Sequence, residues 1–221
     1  MDSADIGSEA STPFPATRFD RRVVKILEQA TTVFYEKGYA AASMRDLARA
    51  SGISLAGLYH YFESKEKILY LIQKHYLVSL IARLRQRLEP VASPEDRLRA
   101  FILNQLEYFL AYPKALKVLS HEDEVLKNDF GKHMASYKRE YYRLCFAITD
   151  GLKQEQRLEF NTRTAVLGLL GMMNWMYTWY DPRTDGNADA LARQIGDLFL
   201  HGIYASGRKA TRPPVPSQGT S

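Results

Sequence analysis

The sequence predicts an all-α protein, and three observations carry that reading. Apolar residues recur at three- and four-residue spacing from Phe19 to about residue 205. Serines that suit helix N-caps stand at intervals along the chain, at Ser43, Ser54, Ser64 and Ser93. No stretch shows the apolar–polar alternation of a half-buried strand, and neither an internal repeat nor a Gly-rich phosphate loop occurs.

The elements follow in order. Val23, Ile26, Leu27, Ala30 and Phe34 form the apolar stripe of a first helix, which Gly38 closes as a C′ residue. Ser43 followed by Asp46 is a capping-box pattern that opens a short helix through Met44, Leu47 and Ala48, ended by Gly52. Ser54 caps a third helix over 55–62. Ser64 caps a long fourth helix from Lys65, carrying Ile68, Leu69, Ile72, Tyr76, Leu80 and Leu84 until Pro90 stops it. Ser93-Pro94-Glu95-Asp96 starts a fifth, with proline at N1 and acids against the N-terminal dipole. Further helices are expected over 94–111, 113–126, 129–153, 161–180 and 188–205. The domain division is then a disordered leader over 1–17, a three-helix N-terminal domain over 18–64, a helical bundle over 65–205 and a flexible tail over 206–221.

Composition bounds the function. With 46% hydrophobic residues the chain can bury a sizeable core, and a net charge of +5 permits a polyanionic partner without demanding one. Cys145 is the only cysteine, so no internal disulfide forms and a reducing, cytoplasmic setting fits. The polar, acidic first residues lack the apolar segment of a secretory signal. The apolar run over 165–176 is too short to span a bilayer, so no membrane partner is expected.

The stretch SGISLAGLYHYFESKEK, residues 51–67, joins two short helices through a tight turn, which is a helix-turn-helix. Leu58 and Phe62 share one helical face and should pack inward, leaving Leu55, Ala56, Tyr59 and His60 outward. Ser43, Ser54 and Ser64 each combine a helix N-terminus with a hydroxyl, two features suited to phosphate oxygens. An αα-hairpin with ordinary caps and core aromatics has the same outline. The anchors around it are more specific. Phe34-Tyr35-Glu36-Lys37-Gly38-Tyr39, Ser43-Met44-Arg45-Asp46-Leu47-Ala48, Gly52-Ile53-Ser54 and Leu58-Tyr59-His60-Tyr61-Phe62-Glu63-Ser64-Lys65-Glu66 occur in that order. Over about residues 19–76 the chain resembles the TetR family of transcriptional repressors.

That resemblance implies a homodimer that binds double-stranded operator DNA through its N-terminal domain and a small-molecule effector through its C-terminal one. Carried over by position, Ser43, Ser54, Tyr61 and Lys65 are expected against phosphates, and Leu55, Ala56 and Tyr59 against base edges. Family members often carry a polar or basic residue at Leu55 and glycine at Ala56, so apolar contact to a thymine methyl is the expected local difference. Residues 18–67 hold nine Lys and Arg against six Asp and Glu, a modest excess, so placed contacts rather than a diffuse field should carry binding. Arg45, Arg18, Arg21, Arg22 and Lys25 are auxiliary phosphate candidates.

The C-terminal half shows no enzyme. His121-Glu122-Asp123-Glu124 lacks a second histidine at i+4, and Cys145 has no positioned base and orienting third residue, so neither metal, cofactor nor catalysis is expected. Tyr137, Tyr141, Met173, Asn174 and Tyr177 are expected to line an effector pocket, with Asn174 as an orienting amide or a satisfied core group. Leu191, Ile195, Leu198 and Phe199 form a dimer seam, with Gly168 and Gly171 permitting close approach. Leu119-Ser120-His121-Glu122 and the segment from Asn174 to Pro182 are similar to the acyl-CoA-responsive branch of the family. That similarity implies an acyl-CoA effector, with Arg83, Arg85, Lys114, Lys117 and Lys138 available for its phosphates. A neutral hydrophobic drug, or a carrier that no longer binds DNA, are the other readings.

Overall fold

The computed structural model describes residues 18–121 and 125–207. Among these residues the regular structure is helical: α1 (Arg18–Lys37), α2 (Met44–Ala50), α3 (Leu55–Tyr61), α4 (Lys65–Leu88), α5 (Pro94–Ala111), α6 (Pro113–His121), α7 (Asn128–Glu155), α8 (Thr162–Asn174), a 3₁₀ turn (Trp175–Thr178) and α9 (Ala188–Gly207). None of the described helices is long and apolar enough to cross a membrane. The expected leader over 1–17, the tail beyond 207 and the acidic residues 122–124 lie outside the described residues, as do the side chains of Arg18, Ser120 and His121.

Local chemistry accounts for the N-terminal elements. Ile26, Ala30 and Phe34 are buried on one face of α1. The chain then turns at Gly38, whose φ of +76° is strained for a residue with a Cβ. Its N–H donates to Phe34 O at 3.0 Å. The capping box of α2 is complete: Asp46 N–H donates to Ser43 Oγ at 3.2 Å, and Ser43 N–H donates to Asp46 Oδ2 at 3.0 Å. Gly52, at φ +65°, makes the turn into α3, where Gly57 N–H donates to Ser54 Oγ at 3.0 Å. Leu58 and Phe62 are buried as their spacing requires.

Helix α4 spans ~36 Å at 1.5 Å per residue and belongs to both parts of the molecule. It packs on α1 and against α5, α6 and α7, and its first turns already meet α7, where the Tyr70 and Phe130 rings stack at 4.7 Å. Around it α5 meets α7 and α9, and α7 meets α8. Ion pairs tie the bundle at its margins: Arg87 to Glu107 at 2.7 Å, Arg83 to the same carboxylate, and Arg99 to Asp197 at 2.8 Å. Tyr204 donates to Glu95 Oε2 at 2.7 Å, a second tie between α5 and α9.

Two expectations need correction. The helix expected over 161–180 stops at Asn174 and tightens into the 3₁₀ turn, which carries Met176 into the core at 1% exposure. Pro182 also disfavours helical geometry at Asp181, so the helix could not have run on. At the C-terminus α9 continues to Gly207, past the expected limit of 205.

Candidate DNA-binding surface and effector cavity

The helix-turn-helix presents a polar, partly aromatic face. Ala56, Tyr59 and His60 are exposed on α3, with Tyr59 at 51%, and Arg45 is exposed in the first turn of α2. Ser43 and Ser54 are exposed at the N-caps of α2 and α3. Leu55 is only half-exposed and packs on the core, so its side of the outward face is less open than its position in the sequence suggests. Tyr61 is half-buried, with its ring 5.7 Å from His60 and 6.2 Å from Phe62.

Lys65 has a role that spacing did not reveal. Its ammonium donates to Tyr39 O at 2.7 Å and Ala42 O at 2.8 Å, with Ala40 O at 3.4 Å, and lies 4.2 Å from the centre of the Tyr39 ring. It therefore binds the α1–α2 turn to the start of α4. Nearby, Lys37 pairs with Asp46 at 2.7 Å. That contact, with the Ser43 hydrogen bonds, holds the Asp46 carboxyl well below the usual carboxylate range.

In the bundle a cavity of about 520 Å³ lies among α4, α5, α6, α7 and α8. Leu77, Leu80, Phe109, Leu116, Tyr142 and Leu170 supply apolar and aromatic wall. One side is polar. Gln105 Nε2 donates to Asn174 Oδ1 at 3.0 Å, and the Tyr141 hydroxyl donates to Gln105 Oε1. Gln105 thus uses both ends of its amide within the wall, fixing its orientation. Tyr141 also lies against the Cys145 thiol, and burial pushes both groups up, Cys145 to about 12. Such a thiol is unreactive while it stays enclosed. Lys138 is half-buried at the cavity, and burial lowers its pKa.

Tyr141, Asn174 and Tyr177 line this cavity as expected. Tyr137 and Met173 do not. Tyr137 packs outside it, with the Lys74 ammonium 5.9 Å from its ring, and Met173 is fully buried in the core. Gln105 was missed, although a signal existed: Asn104 and Gln105 interrupt an otherwise apolar stretch over 101–106. Asn174 proves to be a lining residue that is already hydrogen-bonded, which joins the two alternatives the sequence offered.

The other cationic candidates are distributed differently. Arg83 and Arg85 are engaged by Glu107 and Glu140. Lys114 and Lys117 instead lie beside Tyr35 of α1. A second cavity of about 450 Å³ opens there, lined by Tyr35, Lys117, Tyr180 and others, and shares Phe109, Leu116 and Tyr177 with the first.

The outer face of α8 and α9 is also unlike the expected seam. Leu191, Ile195 and Phe199 are largely buried within the protomer, and Leu198 is the exposed member at 67%. The exposed apolar face is instead Leu198 with Leu167, Trp175 and Trp179. A Cβ added at Gly168 or Gly171 would meet nothing within 4 Å, so both glycines border open space.

Comparison with known proteins agrees with this architecture. Residues 26–70 match the model described as bacterial regulatory proteins of the tetR family, and residues 91–203 match the tetracyclin repressor-like C-terminal domain. The chain is 29% identical over 208 residues to the HTH-type transcriptional repressor KstR2 of Mycobacterium tuberculosis, covering 87% of this chain and 98% of that protein. The TetR family regulator PfmR from Thermus thermophilus is 35% identical, with a TM-score of 0.73 over 80% of this chain and 98% of that one. AibR, solved in complex with isovaleryl coenzyme A and operator DNA, shares the fold with a TM-score of 0.72 at 24% identity, over 84% and 99% of the two chains. With the second model alone spanning more than half of its length, the chain belongs to the TetR family of transcriptional repressors.

Proposed function

We propose that this repressor binds a palindromic operator as a homodimer through α2 and α3, and that an acyl-CoA occupying the bundle cavity releases it. The observation that carries the reading is the cavity itself. Its apolar and aromatic walls suit an acyl group, while Asn174, the Tyr177 hydroxyl and the Lys138 ammonium offer polar contacts for a thioester and its pantetheine amides. AibR, solved in complex with isovaleryl coenzyme A and operator DNA, supports the two ligand classes at the level of the fold.

On the DNA side Tyr59 and Ala56 read base edges, while Ser43, Ser54, Tyr61 and Arg45 hold phosphates. The exposed face of Leu167, Trp175, Trp179 and Leu198 pairs with the same face of a second copy. Two recognition helices then meet half-sites about one DNA turn apart. Because α4 is continuous between the domains, a ligand that prefers another α4 setting shifts the population away from the DNA-competent state.

Titration of the DNA-bound protein tests the reading. Acyl-CoAs of graded chain length, the free acids and neutral apolar drugs are compared for release of a selected operator. Release by the CoA esters alone is expected. Release by neutral drugs with no response to any CoA ester overturns the effector, and a lack of salt-sensitive, sequence-selective binding overturns DNA recognition.

A further inference from the structure

The second cavity takes its walls from both parts of the molecule. Tyr35 comes from the last turns of α1, Phe109 and Leu110 from the end of α5, Leu116 from α6, and Tyr177 and Tyr180 from the segment after α8. Phe109, Leu116 and Tyr177 also line the first cavity, so apolar side chains carry the one surface into the other. Of the residues lining the two cavities, Tyr35 alone belongs to the three N-terminal helices. It stands where α1 packs on α6.

The chemistry of this second space is that of a hydrocarbon site. Leu110, Pro113 and the buried Met176 add carbon to the shared apolar walls. The Tyr180 hydroxyl donates to Gly186 O at 2.7 Å and the Thr178 hydroxyl to Trp175 O at 2.8 Å, so both are spent on backbone. An apolar occupant leaves those bonds intact and strands no polar group of its own.

We propose that the far end of the effector's acyl chain enters the second cavity and meets Tyr35, so that chain length decides whether a bound effector releases DNA. This rests on the acyl-CoA reading given above. A short chain stays within the first cavity and leaves α1 where it is. A longer one passes Phe109 and Tyr177 and lies between α1 and α6, with the Lys117 ammonium left 4.7 Å from the centre of the Tyr35 ring. Because its walls belong to two domains, this space changes shape whenever α1 shifts against α6. An occupant that fits a shifted setting better draws the population towards it. The same end of α1 carries Lys37, whose ion pair with Asp46 braces the capping box of α2. The signal therefore enters the DNA-binding domain through α1 as well as through α4.

The test measures two quantities for acyl-CoAs from butanoyl through octanoyl to hexadecanoyl. Affinity is read by calorimetry. Release is read by anisotropy of a labelled operator selected from random duplexes, as the factor by which saturating ester weakens its binding. Each methylene that the walls enclose should add about fourfold in affinity, and methylenes left in water should add nothing. In the parent the short esters should bind with little release, and the long ones should weaken operator binding about tenfold. Leu110→Trp puts an indole into the second cavity alone. It should stop gaining affinity at a shorter chain than the parent and lose release by the long esters. Tyr35→Ala should still bind the long esters while its release factor falls several-fold; a ratio of operator affinities cancels any change in the unliganded protein. Either variant serves alone if the other does not fold. A release factor equal for every ester that binds the parent overturns the length dependence and leaves the acyl-CoA effector standing. So do variants that follow the parent in affinity and release at every chain length. Failure of all the esters to bind the parent, or to release it from DNA, overturns the effector reading, and the role of Tyr35 with it.

Discussion

Tyr59 and Lys65 lie six residues apart on the helix-turn-helix and its exit, yet they make opposite demands on the molecule. Tyr59 touches little of its own chain, so removing it should leave folding intact. Tyr59→Ala is expected to change the ranking of operator variants by roughly 1–3 kcal/mol at one base pair, read in a competition gel shift, with an unchanged melting curve. Lys65 satisfies backbone carbonyls of the α1–α2 turn. Lys65→Met should therefore cost about 1–3 kcal/mol in a denaturant titration. If the same ammonium also met a phosphate, the salt slope of DNA binding would fall by about one unit, and an unchanged slope restricts it to the turn. The two positions were equally visible in the sequence. Their different burdens were not, because Tyr39, Ala40 and Ala42 reach Lys65 only when the chain has folded back over more than twenty residues.

The helices themselves were legible wherever a cap announces them. Ser43, Ser54, Ser64 and Ser93 each accept a hydrogen bond from the backbone N–H three residues on, and those starts agree with expectation. Ser43→Ala should accordingly destabilise the N-terminal domain by about 1 kcal/mol, measured by thermal or urea unfolding. Endings set by packing were harder. Nothing in a period of 3.6 residues tells Asn174 that Met176 must turn into the core, so periodicity carries α8 six residues too far. The periodicity of α9 likewise located Leu191, Ile195 and Phe199 on one stripe without saying that α5, rather than a second protomer, would cover it. Helix α4 carries a histidine whose burial has a pH signature. His75 is partly buried, and that burial lowers its pKa from the usual 6.5. The unfolded chain takes up the proton first as pH falls, so the stability held by the neutral ring is complete above about pH 6.5 and is lost below it. In unfolding curves between about pH 7.5 and 5, which bracket that value, His75→Gln should lose less stability than the parent.

At the scale of the whole molecule the exposed Trp175, Trp179, Leu167 and Leu198 set the strongest constraint on assembly. Large side chains on one face of α8, the 3₁₀ turn and α9 leave an apolar area that a second copy would cover. Leu198→Glu, at 67% exposure in the protomer, should not disturb the core. It is expected to sediment as a monomer at micromolar concentration and to bind a full palindrome no better than a half-site. A parent that is itself monomeric under those conditions would remove the basis for palindromic recognition. The apolar seam in the sequence indicated that pairing would involve these two helices. Which residues face outward depended on the break after Asn174, which spacing alone does not encode.

The Tyr141–Cys145 contact makes this chain its own clock. The only thiol in the sequence is fully enclosed, and burial keeps it protonated at neutral pH while it stays there. A thiol reagent can therefore react at an appreciable rate only during moments when α7 parts from its neighbours. Labelling becomes independent of reagent concentration once each opening is captured, and its rate then equals the frequency of those excursions. Because the same tyrosine supports the cavity wall, an occupant should lengthen the interval between excursions. Mass spectrometry of Cys145 with and without octanoyl-CoA would read that interval directly, with no DNA and no added chromophore. Identical labelling times would separate the cavity from the motion that exposes the thiol.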